Sequence, residues 1–103
     1  MMSDGEEKKL DPVAEVLLEE LEKLEPGRSL GPEQAAKIYA DLRRKPNDGP
    51  QLWRRYMNAI KQQAIFLARS GRIDILRKGK PVDPNDFKGV WRMRLKQDGD
   101  SES

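Results

Sequence analysis

The chain has 103 residues, a net charge of +2, and neither cysteine nor histidine. A chain of this length buries one modest core and no more. Lacking Cys and His, it has no disulfide framework or thiolate chemistry, no usual general base, and none of the common zinc ligands.

The opening stretch, MMSDGEEKKL, is polar and acidic and has no apolar run of the signal-peptide kind. It reads as a disordered tail over residues 1–10, with a second acidic tail over 97–103 and one domain over 11–96. No apolar run approaches the roughly 18 residues of a membrane helix, so the expected location is cytoplasmic.

Asp11 and Pro12 form a helix entry, a capping side chain followed by a residue suited to the first helical position. Val13, Val16, Leu17, Leu21 and Leu24 then recur at helical spacing, and Glu15, Glu19, Glu20 and Glu22 cover the other side. Pro26-Gly27 ends this first helix. Arg28-Ser29-Leu30 is short and suits an extended segment, a candidate third strand. A second helix is expected over 32–43, entered at Gly31-Pro32, with Ala35, Ile38, Tyr39 and Leu42 as its apolar stripe.

Arg43 to Pro50 is rich in turn residues. A third helix follows, predicted from about Pro50 to Ser70. Its stripe is Trp53, Tyr56, Met57, Ile60, Ala64 and Leu67, widened by Leu52, Ala59 and Phe66. Gly71 is its left-handed stop. Two strands come last. Ile73 and Ile75 share one face of the first, and Trp91, Met93 and Leu95 alternate with Arg92 and Arg94 on the second. Between them lies a long loop, about Lys78 to Gly89, expected to form a wide wing rather than a tight hairpin turn. This order predicts an α+β fold, a winged helix-turn-helix of three helices plus a C-terminal β-hairpin wing, with the third helix in the recognition position.

The chain also resembles a known family. The carrying residues are Pro32-Glu33-Gln34-Ala35-Ala36, Trp53 with Met57, and Ala64, Leu67 and Ala68 leading into Gly71-Arg72-Ile73. The most specific piece runs from Lys78-Gly79-Lys80-Pro81-Val82-Asp83-Pro84 to Gly89 and Arg92-Met93-Arg94. Over about Asp11 to Lys96 these are similar to the domain-of-unknown-function family 3253, small bacterial winged-helix-like domains. The resemblance implies a fold; it carries no catalytic residues.

Charge is segregated along the chain. Residues 1–27 hold nine acids against three lysines, and 97–103 add three acids. Between them 17 Lys and Arg face six acids, which favours an anionic partner. On a helical wheel the third helix turns Gln51, Arg54, Arg55, Asn58, Lys61 and Gln62 outward, the side-chain types that read base edges. Polar residues line the outside of every amphipathic helix. What sets this one apart is that no acid occurs from Gln51 to Arg69. Arg77, Lys78 and Lys80 place three cations beside the wing turn, where they suit phosphate.

Asp83 and Asp86 fit turn chemistry better than a metal site, and Arg92 and Arg94 are expected to pair with Asp74 across the strands. Both tryptophans are expected in the core. No phosphate loop, dinucleotide fingerprint or nucleophile elbow is present, so neither an enzyme nor a cofactor is expected. Two readings stay open: a module binding double-stranded DNA through the third helix and the wing, and a protein-interaction module that uses the acidic first helix. RNA binding is weaker, since no basic-aromatic surface is visible.

Overall fold

The computed structural model describes residues 10–96. The tails expected at the two ends lie outside these, except Leu10, which packs against the core. Helix α1 spans Pro12–Glu22 and α2 spans Pro32–Arg43. A short 3-10 helix, Leu52–Tyr56, leads into α3, Met57–Arg69. Strands β1 (Ile73–Arg77), β2 (Lys80–Pro81) and β3 (Arg92–Leu95) complete the chain. They form an antiparallel sheet in the order β2-β1-β3. Three helices followed by a small antiparallel sheet make this an α+β winged-helix arrangement.

The helix ends follow from local chemistry. Asp11 Oδ1 accepts the Val13 backbone N–H at 2.8 Å, and Pro12 loses nothing at a position whose N–H has no partner in the helix. At α2 the Gln34 side chain reaches back to the Gly31 N–H at 3.2 Å. α3 ends in a Schellman motif. Gly71 adopts φ +80°, the Gly71 N–H bonds the Ala68 carbonyl, and the Arg72 N–H bonds the Leu67 carbonyl, both at 3.0 Å.

The core is one cluster. Leu17 and Leu21 of α1, Ala35, Ala36 and Tyr39 of α2, and Ile60, Ala64 and Leu67 of α3 meet the inner face of the sheet. That face is set by register: Ile73 lies opposite Leu95, and Ile75 opposite Met93. Arg28–Leu30 contributes a single bridge, with Leu30 and Met93 exchanging two backbone hydrogen bonds at 2.8 Å. Among the described residues no buried side-chain polar atom lacks a partner.

Four expectations are corrected. The third helix does not start at Pro50. No capping side chain is available there, because Asp48 is used on the Lys45 N–H at 2.7 Å. The chain therefore enters through i→i+3 bonds, Leu52 to Gly49 and Arg54 to Gln51. Leu42 is 65% exposed, because α2 centres its buried side on Ala36 and Tyr39, about 90° around the helix. Phe66 is 48% exposed, because α3 buries the side carrying Ile60, Ala64 and Leu67. The wing opens with a tight turn. Lys78 (φ +53°) and Gly79 (φ +82°) form a two-residue hairpin that pairs Arg77 with Lys80, and this makes β2 the third strand.

The return from β2 to β3 is held from below by Arg77, whose Nε donates to the Val90 carbonyl at 3.0 Å. A Cβ on Gly89, at φ +84°, would stand 2.8 Å from the Arg77 guanidinium. Gly89→Ala is therefore expected to cost more than backbone strain. Gly79→Ala meets open space and pays the left-handed φ alone, about 1–2 kcal/mol. Gly89→Ala adds the displaced arginine bond, about 1 kcal/mol more. Urea unfolding of both variants checks this, and equal losses would show that Arg77 does not anchor the segment.

Candidate functional site

The link between α2 and α3 sets where the outward residues stand. Arg44 Nη1 donates to the Gly49 carbonyl at 2.7 Å, which closes the turn. The Tyr39 and Tyr56 rings meet edge to face at 4.9 Å and lock the 3-10 helix against α2. Gln51, Arg54 and Arg55 are exposed on or just before this 3-10 helix, while Asn58, Lys61 and Gln62 are exposed on α3 itself. The six share one stretch of chain but not one α-helical wheel, because regular α-helix begins only at Met57.

The charged members differ in how freely they stand. The Arg54 guanidinium lies 5.3 Å from the Trp53 ring centre, and Lys61 Nζ lies 5.2 Å from that of Phe87. Arg55 is exposed. Trp53 is only half-buried, between Arg54 and Lys37, whose Nζ is 5.1 Å from the ring. Trp91 is buried as expected. Lys37 is the cation that the sequence pattern missed. It pairs with Glu33 at 3.0 Å, the i,i+4 arrangement of a plain surface helix, and only the folded chain brings it beside Trp53.

At the hairpin, Lys78 and Lys80 are exposed at the tip. Arg77 is not available in the same way, because its guanidinium braces Gly89-Val90. Two clefts join the regions. One, of about 580 Å³, is lined by the start of α2, Met57 and Gly89–Arg92. The second, of about 380 Å³, shares Val90 and Arg92 with it and reaches Lys78 and Gly79.

Arg94 Nε meets Asp74 Oδ2 at 3.3 Å, the expected cross-strand pair. Arg92 does not join it. The register sets Arg92 opposite Leu76, so its Nε donates to Ser29 Oγ at 2.6 Å and its Nη2 to the Ser29 carbonyl at 2.8 Å. Asp83 Oδ1 accepts the Asn85 N–H at 2.9 Å, which is turn chemistry. Among the described residues no group of three acids forms a potential metal site, and no helix is long and apolar enough to cross a membrane.

Lys23, Lys37, Arg44, Arg94 and Lys96 each have a carboxylate within 4.0 Å. Hydrogen bonding and charge from Glu20 raise the Lys23 pKa. Among the described residues no such pair involves Arg54, Arg55, Lys61, Lys78 or Lys80. On α1, Glu15, Glu19 and Glu22 are exposed, so the acidic and basic surfaces belong to different elements.

None of the curated proteins matches the chain. Residues 10–96, which take in all three helices and all three strands, match the family described as protein of unknown function (DUF3253), and the chain belongs to that family.

Proposed function

We propose that this winged-helix domain is a binding module for double-stranded DNA, with no catalytic step. The observation that carries the reading is a set of exposed cations without carboxylate partners on the 3-10 helix, α3 and the hairpin tip, Arg54, Arg55, Lys61, Lys78 and Lys80; Arg69 at the end of α3 also lacks one but is bonded to Asn85. A cation without a carboxylate partner has no ion pair to break before it meets a phosphate, whereas a paired one must first give up its partner. Arg55 and the hairpin lysines serve as phosphate contacts in this reading, and the amides of Asn58 and Gln62 face the bases.

Titration of a labelled random-sequence duplex tests it. Lys78→Ala with Lys80→Ala is expected to weaken binding to every sequence by a similar factor, because phosphate contacts carry no base information. Arg55→Ala acts in the same direction. Affinity unchanged by all three substitutions, with the fold intact by circular dichroism, would retire the proposal.

A further inference from the structure

We infer that the outer ridge of α3 reads A·T base pairs in the major groove, with Asn58 and Gln62 on adenine and Phe66 on a thymine methyl. This rests on the DNA-binding reading above and adds a sequence preference to it.

α3 buries Ile60, Ala64 and Leu67. Diametrically opposite runs a ridge at four-residue spacing, Asn58, Gln62 and Phe66, all exposed. Each step along it rises about 6 Å. Asn and Gln present a donor and an acceptor side by side, which matches N6 and N7 of adenine. Among the described residues no side-chain hydrogen bond occupies either amide.

Phe66 is the informative member. A phenyl ring 48% exposed on the side of the helix away from the core leaves about half its apolar surface in water. The C5-methyl of thymine is the apolar group that the major groove offers such a ring.

Guanine is read mainly by Arg or Lys, and here those are drawn off the ridge. Arg69 Nε is bonded to Asn85 Oδ1 at 2.6 Å, Lys61 leans on Phe87, and Arg54 stacks on Trp53. Arg55 precedes the first turn of α3. What remains on the ridge is two amides and apolar surface.

The test uses the full chain and duplexes of equal length whose centres carry mixed-order A·T, G·C or inosine·cytosine pairs. Inosine·cytosine shows an A·T-like minor groove and a G·C-like major groove. The expected result is about tenfold tighter binding to A·T than to G·C, with inosine·cytosine behaving as G·C. Asn58→Ala and Gln62→Ala should shrink that ratio while leaving G·C affinity in place. Replacing thymine by uracil, which removes the methyl, should weaken wild-type binding about fourfold and leave Phe66→Ala unaffected.

Equal binding to all three centres overturns the inference and leaves the DNA reading standing. So does inosine·cytosine behaving as A·T, or a ratio that the amide variants do not move. No binding to any duplex at about 50 mM salt overturns both.

Discussion

Leu67→Ala is expected to cost the domain about 3 kcal/mol of stability, whereas Leu42→Ala changes it by less than about 0.5 kcal/mol. Both leucines fall on helical apolar stripes. In the structure Leu67 is 0% exposed and Leu42 is 65% exposed. Leu67 lies where α3 meets the rest of the core cluster, and its carbonyl also accepts the Arg72 N–H that closes the helix. Truncation removes the transfer energy of the lost methyl groups and leaves a cavity that the short elements around it fill only in part. In a domain this small the melting temperature should fall by about 12–24 °C. Thermal unfolding of the two variants side by side reads the difference. Similar losses at both positions would mean that α2 packs in another orientation.

Gln62→Glu is expected to lower duplex affinity about 100-fold while leaving the fold unchanged. The substitution is nearly isosteric and the site is exposed, so stability should move by less than about 0.5 kcal/mol. It places a carboxylate on a surface that lacks acids from Gln51 to Arg69. If that surface meets DNA, the new charge faces the duplex at close range. Like-charge juxtaposition costs several kcal/mol, and about 2.7 kcal/mol is 100-fold. The loss should hold for every sequence, unlike that of Gln62→Ala. An affinity within about twofold of wild type, measured by anisotropy, would show that this face is solvated in the complex.

Much of the scaffold was legible from local chemistry. Asp11-Pro12, Gly31-Pro32 and Gly71 each act within a few residues, and the helix ends they predict stand where expected. The alternation of Ile73 and Ile75 against Met93 and Leu95 fixed the sheet register, since a slip of one residue would turn the apolar set outward. What was not legible depended on side chains meeting across the fold. Asp48 has the chemistry of a cap, but it bonds back to Lys45, and the helix after it begins as 3-10.

Arg77 reads as a third free cation of the hairpin, and only the return of Gly89-Val90 shows it to be a brace. Phe66 lies within reach of an apolar stripe on a wheel, so its exposure appears only once α1, α2 and the sheet have taken the other side of α3. The tight hairpin was hidden because Lys at the first left-handed position is an uncommon choice beside Asn, Asp or Gly.

The most direct measurement is fluorescence anisotropy of the wild-type chain on a random-sequence duplex at about 50 and 200 mM salt. With about four phosphates neutralised, affinity should be micromolar at the lower salt and fall about 150-fold at the higher. No binding at the lower salt would contradict the account, and the exposed glutamates of α1 would then be the surface on which to seek a protein partner.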